Sequence, residues 1–313
     1  MNFSPPSVDA AWLSRSPAFG AGKRGPCQAM SRRVLTYVKP VAALLFMNPQ
    51  LADYDYVVVN TSSGKDSQTI LRFIAQQAER ENYPKDKIVC AHADLGKMEW
   101  PGTKELAEVQ AKIYQIRFWA MARPQGDLLT HIKQRGMWPS STTRYCTSDH
   151  KRGQIRKLFT EIVFLLMLET GLTGKPKRIL NVMGMRAQES PARAKLKPFI
   201  HDAGASNGKR HIDTWLPIHD WNLPDVWKDI KESGVEYHKA YDLGMPRLSC
   251  VFCIFSPPPA LMIAGRHNPE LLQEYVQAER EMDHTFRKDF PIEKVQQAIA
   301  AGEDWGPASD WLM

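Results

Sequence analysis

Two groups of residues in this chain have types and spacings that do chemistry. The first is Ser62-Ser63-Gly64-Lys65-Asp66-Ser67, set between a β-branched run and an amphipathic stretch. Small residues there let an oxyanion reach backbone N–H groups at a helix N-terminus, where the dipole is positive. Lys65 adds a charge, and Asp66 can hold a magnesium ion against phosphate oxygens. The ordinary P-loop is excluded, since G-x-x-x-x-G-K-[ST] needs Gly in place of Val59 and Ser or Thr in place of Asp66. The alternative is a Ser-capped helix start with an incidental lysine. The second group is the thiols: Cys250 and Cys253 form C-x-x-C, and Cys146 sits near Arg144, His150, Lys151 and Arg152. Thiolates beside so many cations should have lowered pKa values and serve as ligands or nucleophiles.

These residues must be positioned by regular elements. Residues 55–61 form a continuous β-branched run, as in a strand buried on both faces. The next stretch repeats Ile70, Leu71, Ile74 and Ala78 at helical spacing. Further strands are predicted at 87–94, 116–122 and 177–186, with a helix after Pro101. Strands alternating with helices give an α/β fold: a doubly wound, mostly parallel sheet with helices on both faces. Ligands of such sheets sit outside the carboxyl ends of the strands, so the loops after 61, 93 and 183 should converge. Residues 1–30 read as a disordered leader and Met30–Met47 as a helix. A nucleotide-binding domain is expected over 31–235, with a Cys-containing loop and two amphipathic helices over 236–313 packed on the same domain.

The 313 residues are 43% hydrophobic and 24% charged, which suits a packed core and argues against global disorder. Net charge is +7 and the pI is about 9.1, compatible with a phosphate-bearing partner or with a solvated basic surface. The longest apolar run, Ile162–Leu168, is far too short to span a bilayer, so no membrane partner is expected. Five cysteines, two of them as C-x-x-C, fit a cytoplasmic protein using thiols for metal or redox chemistry.

S-S-G-K-D-S closely resembles the S-G-G-K-D-S pyrophosphate loop of N-type ATP pyrophosphatases. More specifically, the chain resembles the 3′-phosphoadenylylsulfate (PAPS) reductase family, in motif order over roughly residues 50–260. "HADLG" (92–96) is similar to its D-T-G segment, and "GMRAQESPARA" (184–194) to its G-I-R-x-x-E-S-x-x-R-A segment. "LPIHDWNLPDVW" (216–227) and "YDLGMPRLSCVFC" (241–253) resemble two later stretches. Ser63 departs from the usual glycine, which should reduce the closeness of backbone approach. The resemblance implies an adenine-nucleotide site made of Ser62, Ser63, Gly64, Lys65, Asp66, Ser67, Asp94, Gly184, Arg186, Glu189, Ser190 and Arg193. Lys65, Asp66 and Arg186 would be its catalytic members. Arg186 and Arg193 are planar donors suited to phosphate or sulfate, oriented by Glu189; a surface helix with Arg–Glu pairs is the plainer reading.

In sulfur-transferring relatives a mid-chain cysteine joins a C-x-x-C to hold a [4Fe–4S] cluster, which would assign Cys146, Cys250 and Cys253 as its ligands. Zinc held with His150, or unliganded thiols, are the alternatives. Cys90 lies in a predicted buried strand, where a small apolar role fits better. PAPS reductases carry a nucleophilic cysteine in a C-terminal E-C-G-[IL]-H segment, and no cysteine follows Cys253 here. The resemblance therefore implies ATP with Mg2+ as ligand and adenylylation coupled to sulfur transfer. The acceptor would be a nucleic acid (DNA or tRNA) or a small molecule, served by a sulfur donor or partner subunit. A genuine PAPS or adenylylsulfate reductase, and a non-catalytic nucleotide-binding, DNA-associated subunit, are the competing functions.

Overall fold

The computed structural model describes residues 48–171 and 174–310, and the chain from Met47 onward forms one compact unit. The predicted leader, the predicted helix at 30–47 and Cys27 lie outside the described residues. Six strands make one sheet: Tyr56–Thr61 (β1), Ile88–Asp94 (β2), Arg117–Ala122 (β3), Lys177–Val182 (β4), Phe199–His201 (β5) and Arg210–Trp215 (β6). Their order is β3-β2-β1-β4-β6-β5, parallel throughout except for the β5–β6 pair. The winding reverses between β1 and β4, so their carboxyl ends frame the crevice where such sheets take ligands.

Alternation explains why β1 reads as an unbroken apolar run. Val57 and Val59 pack on one face with Ile70, Leu71 and Ile74 of helix α1 (Lys65–Glu81). Val58 packs on the other face with Leu158, Phe159 and Ile162 of α5 (Gly153–Thr170). Each fully buried Val, Leu or Ile contributes about 1.5–3 kcal/mol. Cys90 of β2 is fully buried in the first of these cores, and burial pushes its thiol up to about 12, as fits a packing residue.

The remaining helices are α2 (Thr103–Ile113), α3 (Leu128–Arg135), the short α4 (Tyr145–Thr147), α6 (Pro191–Ala194) and α7 (Leu223–Ser233). Beyond residue 236 there are three longer helices rather than the expected two: α8 (Pro258–His267), α9 (Pro269–Met282) and α10 (Glu293–Ala300). Pro269 opens a new helix directly after Asn268 ends α8. They build a third core with α3 around Trp138, Tyr275 and Phe286. Strands β5 and β6 are additional to those predicted, and β4 stops at Val182 rather than 186. No helix among the described residues is long and apolar enough to cross a membrane.

Candidate active site

β1 ends at Thr61 and the chain turns through Ser62, Ser63 and Gly64 into α1. Ser63 has φ 54°, in the left-handed region that glycine fills most readily. Its buried hydroxyl donates to the Thr103 carbonyl at the start of α2 at 2.5 Å. The side chain thus points away from the chamber that its neighbours line, and the expected loss of close approach does not arise. Ser67 Oγ accepts from the Ser62 amide at 3.2 Å and donates to the Gly64 carbonyl at 2.8 Å, which closes the loop. The Ser63 amide donates to Thr61 Oγ1, and the Lys65 amide to the Tyr241 hydroxyl. The helical ladder starts with Gln68 N on Gly64 O, so the Asp66 and Ser67 amides have no ladder partner.

Lys65 is 1% exposed, and its Nζ donates to the Pro246 carbonyl at 3.1 Å. It lies 3.9 Å from Asp66 Oδ2 and 5.5 Å from the Tyr241 ring centroid. Burial pulls this ammonium below the ordinary lysine range against the opposing pull of Asp66. Asp66 Oδ1 accepts from Arg186 Nε at 2.5 Å, leaving Oδ2 as the oxygen not engaged by that guanidinium. Arg186 is itself buried behind the wall, with Nη1 on Gln188 Oε1. Expected to meet phosphate, it instead clamps Asp66. Gly184 is required by packing: a Cβ there would lie 2.8 Å from the Asp66 carbonyl oxygen and 3.1 Å from the Ser67 amide nitrogen.

Glu189 gathers this side of the site. Its carboxylate accepts from Arg193, from Arg247 and from the Arg186 amide. Burial raises its pKa, but Arg193, the amide and Arg247 outweigh that and hold it below the usual carboxylate range. Arg247 was overlooked by residue-by-residue reading, although it lies within the 241–253 stretch. Ser190 caps α6 by accepting from the Arg193 amide, and is off the wall. Asp94 is off it too, accepting from the Gly96 amide at 2.8 Å and from Lys104 at 3.0 Å.

Cys146 stands on α4, and residues Ser148–Arg152 continue as a π-turn into α5. Such wide turns recur at functional sites. Gly153 is required by it, because a Cβ there would meet the Ser148 carbonyl at 2.7 Å. The turn carries Lys151, an exposed residue that lines the chamber. Burial lowers its pKa, yet Cys250, Cys253 and Cys146 pull it up and prevail. The Cys250 and Cys253 thiols are not lowered as neighbouring cations would lower them. Burial pushes Cys250 up to about 12 and Cys253 upward, and Lys151 only partly opposes this. Two of the expected cations are engaged elsewhere: Arg144 lies over the Phe255 ring at 4.8 Å, and His150 Nε2 is 3.0 Å from His131 Nδ1.

Both groups open onto one chamber of about 740 Å3. Ser62, Gly64, Lys65, Asp66, Ser67, Gly184, Glu189 and Arg193 line it together with Cys146, Cys250, Cys253 and Lys151. Seven Lys and Arg against four Asp and Glu on the wall make it attractive to anions. A chain of contacts ties its two ends. The Cys250 backbone bridges that of Glu99, Glu99 Oε2 lies 2.8 Å from His92 Nε2, and His92 Nδ1 lies 3.3 Å from the Thr61 carbonyl oxygen.

Residues 56–256 match the phosphoadenosine phosphosulfate reductase domain. The chain belongs to that family. Within it, the chain is 29% identical over 224 residues to an uncharacterized 37.8 kDa protein of Escherichia phage 186, covering 67% of this chain and 62%, less than two thirds, of the phage protein. It is 27% identical over 219 residues to adenosine 5′-phosphosulfate reductase of Allochromatium vinosum, covering 69% of this chain and 74% of that enzyme. Among solved structures it is similar to the PAPS reductase of Candida auris in its phosphate complex (TM-score 0.39, 19% identity, 64% of this chain and 83% of that one). It is also similar to the U34-tRNA thiolase NcsA of Methanococcus maripaludis with its [4Fe-4S] cluster (TM-score 0.38, 12% identity, 80% and 75%).

Proposed function

We propose that this member of the PAPS reductase family binds ATP with magnesium and uses it for adenylylation coupled to sulfur transfer. The observation that carries this reading is the shared chamber, with an anion loop on its wall and three thiols facing the same space. The triphosphate tail meets the open first-turn amides and Lys65, and Asp66 Oδ2 faces the magnesium. An acceptor nucleophile attacks the α-phosphorus, the bond to the bridging oxygen breaks, and pyrophosphate leaves. Sulfur then displaces AMP from the acceptor. Lys65 and Arg193 counter the charge that grows on the leaving phosphates, an electrostatic contribution. The basic lining suits a phosphate-rich acceptor such as DNA or tRNA.

Three cysteine thiols facing one chamber are a donor set that an iron–sulfur cluster accepts, and His150, the fourth ligand a zinc site would need, is paired with His131. Cys146, Cys250 and Cys253 would hold the cluster, which when bound supplies an open iron position for sulfide. Lys151 balances the thiolate charge that such loading creates.

Lys65→Ala tests the nucleotide half. Pyrophosphate release should fall at least about 100-fold while the thermal unfolding midpoint changes little; unchanged release removes the proposal. A second reading, adenylylsulfate reduction, is favoured by the Allochromatium relative. Incubation with ATP and, separately, with adenylylsulfate plus a dithiol as two-electron reductant separates the two. AMP and pyrophosphate from ATP support adenylylation; sulfite from adenylylsulfate supports the reductase.

A further inference from the structure

A second cluster of ligating side chains lies at the other end of the sheet. β5 is an edge strand of three exposed residues, paired antiparallel with β6. The register sets His201 directly opposite Asp213, and His211 precedes Asp213 by two residues on the same face of β6. Asp213 Oδ1 accepts from His201 Nδ1 at 3.2 Å and from His211 Nε2 at 3.0 Å. The two imidazoles stack with centroids 4.2 Å apart, and the three ligand atoms all lie within 4.8 Å of one another. The carboxylate is buried while both rings reach solvent, at 44% and 38% side-chain exposure.

We propose that His201, His211 and Asp213 form a metal site, separate from the cysteines, that takes a first-row transition dication such as Zn2+ or Co2+. Two imidazoles and one carboxylate are a donor set that such ions accept, with the remaining positions left to water. The supporting contacts are already present. Asp213 Oδ2 accepts from the Tyr54 hydroxyl at 3.0 Å, which fixes the carboxylate plane as the outer partners of metal ligands do. Arg178 Nη2 lies 3.6 Å from the same oxygen and opposes the metal charge, so affinity should be moderate. On binding, each imidazole would give a lone pair to the metal in place of its hydrogen bond to Asp213, with its N–H on the other ring nitrogen. The physical result is a clip. Residues Ile200, His201, Asp202 and Ala203 also line the chamber, and a bound ion would fasten this edge segment to β6.

The test is a Co2+ titration of the full chain. Thiolate-bound cobalt gives intense charge-transfer absorption, whereas a histidine–carboxylate site gives only weak ligand-field bands, so the two sites read separately. The proposal requires one equivalent bound without charge-transfer bands, retained in Cys250→Ser. His211→Gln and His201→Gln, at a half-buried and an exposed position, should leave the fold intact by circular dichroism and weaken it at least about tenfold. As a second readout, Zn2+ should raise the thermal midpoint of the Cys250→Ser protein, and adding His211→Gln should abolish the rise. Equal cobalt binding by His211→Gln, or no bound cobalt outside the thiolates, overturns the site.

Discussion

The two ends of the chamber are built on opposite principles. At the end formed by the Ser62–Ser67 loop nearly every polar group is already answered: Asp66 by Arg186, Glu189 by Arg193 and Arg247, Lys65 by the Pro246 carbonyl. The thiol end is walled by Leu95, Met98, Phe252, Tyr275 and Phe286, and burial pushes the Cys250 and Cys253 thiols up beside Lys151. A preformed electrostatic frame binds a charged ligand without rearranging. A desolvated thiol pocket is stable while empty of charge, and becomes a thiolate site only when a cation arrives to compensate. The same cavity therefore combines a wall of paired charges with a largely apolar wall that carries the thiols.

The most disruptive way to break this contrast is Gly184→Ala. The added methyl meets the Asp66 and Ser67 backbone, which cannot yield as a flexible side chain would. A stability loss of about 3 kcal/mol is expected, with nucleotide binding reduced alongside it, by urea unfolding and calorimetry. A smaller effect should come from acid at the thiol end. Burial first, and His131 next, push His150 down to about 4. The unfolded imidazole takes a proton near pH 6.5 that the folded one refuses, so stability should fall as pH drops from 6.5 toward 4. The loss is of the order of 2 kcal/mol, and His150→Gln should flatten the profile in urea unfolding. Cys250→Ser sharpens the comparison. Iron content after anaerobic reconstitution should drop at least about tenfold, with ATP affinity unchanged within about twofold. Smallest of all is Ser63→Gly, where release from the left-handed region offsets the lost bond to Thr103. The net change should stay within about 0.5 kcal/mol, measured by thermal unfolding.

Much of the Ser62–Ser67 loop's setting was legible because it is local. A β-branched strand, a six-residue loop and an amphipathic helix occupy consecutive positions, so type and spacing carried the geometry. What could not be read was direction. Ser63 turning toward Thr103, and Arg186 turning inward to Asp66, depend on partners 40 and 120 residues away. The thiol end was legible in composition and misleading in electrostatics. Neighbouring cations in sequence suggested acidic thiols, but α4 and the π-turn send His150 to His131, and Cys250 packs partly buried against the third core. β5 and β6 escaped notice because "FIH" is only three residues long and "RHIDTW" is largely polar.

The run of contacts from Cys250 through Glu99 and His92 to the Thr61 carbonyl moors the C-x-x-C loop to the strand that feeds the Ser62–Ser67 turn. Two segments far apart in the chain are thereby held in fixed register across one cavity.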